Sequence, residues 1–204
     1  MPKIQDKDTK KRILSVGAGI VHNKGFNNTG IQEVLTAAGV PKGSFYFYFQ
    51  SKNDFGLQLI DFYAQYIFLQ LEEAKARPES TALDRLRQFF AVFLDQFDQN
   101  KCRGGCPIGN MAQEMGDLNE DFRGRLQTVY TGLQSSIAQL LDQAVSQGQL
   151  DMDVDSRELA GFILNAWQGA MLQMKVDKST GPLHSFERMV FERLLPKICR
   201  IDHM

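Results

Sequence analysis

Fourteen residues, GVPKGSFYFYFQSK from Gly39 to Lys52, restrict the fold more than any other part of the chain. A tight turn at Gly39 feeds a very short helix with Pro41 at its start. Phe45 and Phe49, four residues apart, share one face of that helix. Lys42, Ser44, Tyr46 and Tyr48 project from the other. Isolated helices below ~12 residues are marginal in water. The neighbouring segments must therefore bury the phenylalanine face, and the polar face is left for something outside.

The flanking sequence supplies the support. Ile13, Leu14, Gly17, Ala18 and Val21 form one apolar stripe of a helix over 8–24, with Asp6 or Asp8 as its cap and Gly25 at its end. Phe26 then turns back toward the core. Thr29 is read as the N-cap of a second helix that buries Ile31, Val34, Leu35 and Ala38, and Gly39 closes it. Two helices joined by a tight Gly-containing turn make a helix-turn-helix. Ser51 and Asp54 signal a capping box for a long helix over about 52–76, whose apolar side takes Phe55, Leu59, Phe62, Tyr66 and Leu69. Thr81 and Asp84 open a phenylalanine-rich helix that breaks between Asn100 and Pro107. A short helix over 107–115 follows. Asn119 caps a helix reaching Gln147. Asp155 starts another to about Val176, KSTGP reads as a loop, and Ser185 starts the last, to about Ile201. Nothing alternates with period two over β-branched residues, so no strand is expected. The expected fold is all-α: a three-helix head over 1–53 and a body of about six longer helices over 54–204.

Charge separates head from body. The first 53 residues hold eight bases and three acids, a net of +5, which leaves −6 on the remainder of a chain whose total is −1. A basic head on an acidic body suggests that the head meets a polyanion. No apolar run approaches the ~20 residues of a membrane span. The first thirteen residues lack the apolar core of a secretory signal, so a cytoplasmic protein is expected. Three cysteines are too few for a disulfide framework. Three scattered histidines, His22, His184 and His203, do not build a zinc site with two cysteines, so neither metal nor cofactor is expected.

The polar face of the short helix suits a duplex. Lysine and serine suit phosphates and base-edge acceptors, and tyrosine offers a hydroxyl to phosphate and a ring edge to a thymine methyl. Lys52 is placed as a clamp on the nucleic-acid backbone, and Thr29 stands at a helix N-terminus, where N–H groups attract phosphate. The order TGIQEVLTAAGVPKGSFYFYFQSKNDF resembles the DNA-binding signature of TetR-type transcriptional regulators. The likeness covers residues 9–55. It implies an all-α homodimer whose two recognition helices enter successive major grooves of an operator. Lys42, Gly43, Ser44, Tyr46 and Tyr48 would then lie on the recognition helix, with Thr29 and Lys52 at the backbone. Many members carry histidine after the position of Tyr46, where this chain has Phe47 and Tyr48.

In the body, Phe89, Phe93, Phe97, Met111, Met115, Tyr130, Trp167, Met171 and Met174 could line a cavity for a hydrophobic ligand or could simply be core. Cys106 follows two glycines and precedes Pro107, the first residue of a helix. The positive end of a helix lowers a thiol pKa, and Arg103 can add to that, although a small buried cysteine can also be inert. A Cys102–Cys106 disulfide is conceivable. GGCPIGNMAQEMGDLNEDFR, with WQGAMLQMK from Trp167 to Lys175, resembles a TetR subgroup. That subgroup holds electrophile- and redox-sensing regulators of the N-ethylmaleimide reductase repressor type and acrylate-responsive ones. The resemblance places Cys106 at the sensing thiol and Lys175 beside it, where an ammonium favours thiolate. Other members with a similar stretch bind flat aromatic ligands reversibly. The last two helices carry Leu159, Phe162, Ile163, Ala166 and Ala170, then Phe186, Val190, Leu194 and Ile198, stripes that by resemblance pair with a twin. Two other classes remain. A thiol enzyme built on Cys106 lacks a histidine base nearby. A helical interaction module would not show salt-dependent duplex binding.

Overall fold

A computed structural model describes residues 7–198, and among these every regular element is helical. The helices are α1 (Lys7–Lys24), α2 (Ile31–Ala37), α3 (Phe45–Tyr48), α4 (Lys52–Lys75), α5 (Ala82–Gln99), α6 (Pro107–Met115), α7 (Glu120–Ser146), α8 (Ser156–Asp177) and α9 (Gly181–Glu187). A 3-10 turn, Lys42–Ser44, leads into α3. A π-helical stretch, Arg188–Leu194, and a 3-10 turn, Leu195–Lys197, prolong α9.

The chain packs as two compact units. One holds residues 7–66 together with Pro107–Thr128, so the head helices share a core with the start of α4, with α6 and with the start of α7. The other holds Ile67–Cys106 and residues 129–198.

The caps explain most helix boundaries. The Ser51 hydroxyl accepts from Asp54 N–H at 3.0 Å, and the Asp54 carboxylate reaches back to Gln50 N–H at 2.8 Å, a reciprocal cap one residue wider than the usual box. Thr81 accepts from Asp84 N–H, Asn119 from Asp121 and Phe122, and Asp155 from Arg157 and Glu158. Pro107 begins α6 as its sequence requires.

Several expectations are corrected. Asp8 lies inside α1 and is not its cap; Asp6 falls outside the described residues. The N-cap of α2 is Gly30, not Thr29. The Thr29 hydroxyl turns back to donate to Gly25 C=O at 2.7 Å, and the Glu33 carboxylate is held by the Lys24 ammonium. On α4 the buried line runs through Phe55, Leu59, Ile60, Tyr63, Ala64, Ile67 and Leu71, while Tyr66 and Leu69 are exposed. The last helix begins at Gly181 rather than Ser185, because a proline in the first turn is preorganised for a helix and not only a breaker. Ile201, its expected end, lies outside the described residues. Ile163, Phe186 and Val190 fill their own chain's core, and the exposed apolar side chains nearby are Phe162, Leu172, Val176 and Met189.

Candidate functional sites

The short helix is built as its spacing requires. Phe45 and Phe49 are fully buried and meet Phe55 of α4, with ring centroids 5.1 to 5.9 Å apart. Tyr46, on the opposite side, is 71% exposed. Lys42 and Gly43 are exposed, and Ser44 and Tyr48 half-buried. A Cβ placed on Gly43 would meet nothing within 4 Å, so the backbone there is open to close approach. Five expected contact residues thus lie together on one short segment of two turns. Phe47, exposed and edge-on to Tyr48 at 5.1 Å, joins them. Lys10 of α1 is brought in as well, its ammonium 5.5 Å from the Phe49 ring.

The two expected backbone contacts stand differently. Thr29 is 2% exposed, its hydroxyl spent on Gly25 and its N–H on Phe26 C=O. Lys52 rests on the α1–α2 turn, its ammonium 3.1 Å from Asn27 C=O and 4.9 Å from the Phe26 ring centroid.

In the second unit, Cys102 and Cys106 are both free thiols, so the conceivable disulfide is not formed. Cys106 is half-buried, and its sulfur accepts from Gln168 Nε2 at 3.4 Å. Burial pushes the Tyr130 phenol well above its ordinary value, and negative charge on Cys106 pushes it the same way. Lys175 lies close by: its aliphatic stem would be 3.6 Å from a Cβ at Gly105, and Met171 C=O would be 3.9 Å away. Gly105 has φ 71°, so glycine is favoured there by the backbone, while a Cβ would make only ordinary contacts. Gln168 thus meets the Cys106 sulfur, while Lys175 and the Met171 carbonyl lie beside the preceding Gly105.

Other expected lining residues do not join them. Trp167 is buried between Phe90 and Phe186, each at 5.0 Å, as core. Phe93 is half-buried against Phe89 at 5.2 Å. Met111 is buried in the first unit. A cleft of about 660 Å³ in the second unit is lined by Asp98, Lys101, Cys102, Arg103, Lys178, Ser179 and Thr180, none of them expected. Gln168 and Glu114 were missed in the sequence, since neither amide nor carboxylate carries a local signal for a partner 62 or 88 residues away.

Residues 13–58 match the family model for bacterial regulatory proteins of the tetR family, and residues 82–190 match that of the tetracyclin repressor-like C-terminal domain. The chain belongs to the TetR family. It is 41% identical to the transcriptional regulator AcuR of Cereibacter sphaeroides, over 85% of this chain and 80% of that one. It is 30% identical to the transcriptional repressor NemR of Escherichia coli, over 91% and 93%. The crystal structure of reduced E. coli NemR superimposes with a TM-score of 0.81 at 29% identity, covering 95% of this chain and 98% of that one. As a TetR-family member the chain is a DNA-binding transcriptional regulator and not an enzyme. None of its described helices is long and apolar enough to cross a membrane.

Proposed function

We propose that this TetR-family regulator is a cytoplasmic repressor that binds a palindromic operator as a homodimer and is released by an electrophile at Cys106. Residues 1–53 serve as the DNA-binding domain and 54–204 as the effector-sensing and dimerisation domain. The observation that carries the reading is the Tyr46 side of the short helix, exposed while Phe45 and Phe49 anchor the other side. Lys42, Gly43, Ser44, Tyr46 and Tyr48 meet the major groove. Lys52 adds its charge at the backbone, and at Thr29 the backbone contact falls to the N–H groups at the start of α2, because the hydroxyl faces inward. Two such heads read half-sites ~34–36 Å apart or a multiple of that.

At the sensor, Cys106 stands immediately before α6, with Lys175 next to the preceding glycine and Gln168 on the sulfur. Positive charge near a thiol favours thiolate, the nucleophilic form. The sulfur adds to the activated C=C of a maleimide or quinone. A C–S bond forms, the π bond is lost, and the resulting enolate takes a proton from water, so no leaving group or oxidant is needed. The homologue NemR was solved in a form described as reduced, which supports attention to a thiol here. A second reading lets a hydrophobic ligand bind reversibly beside Tyr130 and Met171, without Met111 and Trp167, whose side chains are buried as core. Either effector releases the operator only through different affinities for two head spacings.

Operator binding by wild type, Tyr46→Ala and Cys106→Ser, with and without N-ethylmaleimide, tests both halves. Tyr46→Ala is expected to remain a folded dimer and lose operator binding; specific binding at wild-type strength removes the recognition-helix assignment. N-ethylmaleimide is expected to release wild type and not Cys106→Ser. Equal release of both leaves the reversible pocket.

A further inference from the structure

The turn between α1 and α2 is an anion nest already filled by the chain's own Glu114. Gly25, at φ 89°, follows the right-handed residues of α1, and that sequence of conformations aims successive N–H groups at one point. Phe26 N–H donates to Glu114 Oε2 at 2.7 Å and Asn27 N–H to Oε1 at 2.6 Å. One carboxylate of α6 thus grips two consecutive peptides of the head. Such charge-assisted bonds are roughly twice as strong as neutral ones. A Cβ at Gly25 would lie 3.1 Å from Glu114 Oε2, so a side chain there would press the carboxylate outward by a few tenths of an ångström, besides straining the backbone.

The other side of the turn is held by Lys52, on Asn27 C=O and over the Phe26 ring, and the Phe26 ring itself is buried against Phe122 at 5.2 Å. The Thr29 hydroxyl ties the far end back to Gly25. This turn fixes where α2 begins. α2 in turn fixes the approach to the short helix, through Val40 N–H on Leu35 C=O at 2.9 Å. Glu114 makes no hydrogen bond to the short helix in any described pair; it acts through the turn.

We propose that Glu114 is a positioning residue of the DNA-binding head, its carboxylate setting the turn from which α2 and the short helix take their place. The proposal rests on the DNA-binding reading given above and not on that of Cys106.

The test uses the full-length protein. Amide hydrogen exchange at Phe26 and Asn27 and operator affinity are measured for wild type, Glu114→Ala and Glu114→Gln. In Glu114→Ala both amides are expected to exchange at least tenfold faster and the operator Kd to rise at least tenfold. Glu114→Gln, which keeps one acceptor oxygen, is expected to recover part of both losses. Wild-type operator affinity in Glu114→Ala overturns the positioning role, and so does a loss of affinity in either variant with Phe26 and Asn27 still protected.

Discussion

Tyr63 shows what a single buried polar group does in the first unit. Its hydroxyl donates to Ala18 C=O at 2.7 Å, joining α4 to α1. Burial raises its pKa well above the ordinary phenol value of about 10. A group whose folded pKa is raised contributes stability in full below its unfolded pKa. Above that value the unfolded chain releases the proton while the folded one holds it, so the contribution shrinks as pH climbs toward the folded pKa. Tyr63→Phe removes one hydrogen bond and is expected to cost about 1 kcal/mol at neutral pH. The gap between wild type and variant should narrow above about pH 10, because only wild type has this proton to lose. Urea unfolding at pH 7.5 and pH 10.5 measures it, and a gap that stays constant or widens removes this account of the pair.

At the scale of helices, α8 carries a capped start and an uncapped liability side by side. Asp155 satisfies Arg157 and Glu158 N–H, while the neighbouring Ser156 hydroxyl is buried with no partner among the described residues. Asp155→Ala is expected to cost about 1 kcal/mol, the usual loss of an N-cap. Ser156→Ala removes an unsatisfied hydroxyl and is expected to be neutral or stabilising. Chemical denaturation of both variants separates the two, and a loss of similar size at Ser156 would mean its hydroxyl has a partner. The contrast also shows what could be read in the sequence. Asp155, Thr81, Asn119 and the Ser51–Asp54 pair act on N–H groups within four residues, and Pro107 presets the backbone of its own turn, so their roles were legible from spacing. Thr29 and Ser185 have the same chemistry, but Gly30 and Pro182 take the helix starts there. The buried face of α4 was misjudged at Tyr66 and Leu69 because tertiary packing selects among apolar residues. Within the candidate sites, Tyr46 was legible because Phe45 and Phe49 claim the opposite face. Gln168 and Glu114 were not, since their partners come from distant parts of the chain.

At the scale of the whole molecule, four exposed apolar residues stand together on the last helices. Phe162 is 57% exposed and Val176 75%, with Leu172 between them on α8 and Met189 on the π-helical stretch. Residues 162 and 176 are fourteen apart, close to four helical turns, so both point to one side of α8. An apolar stripe of this kind is usually covered by a partner. On the proposed reading that partner is a second copy, meeting the same surface in a two-fold pair. Linking two heads makes the second operator contact intramolecular, so a lone subunit with an intact head should bind the duplex only weakly. The head's charge of +5 acts in both cases and gives strong salt dependence to specific and non-specific binding alike. Phe162→Asp combined with Val176→Asp is therefore expected to yield a folded monomer by sedimentation equilibrium. Its operator affinity should fall by at least a hundredfold while residual binding keeps its salt dependence. A variant that still sediments as a dimer shows that this face of α8 is not the pairing surface, whereas a monomer with wild-type operator affinity shows that one head suffices for recognition.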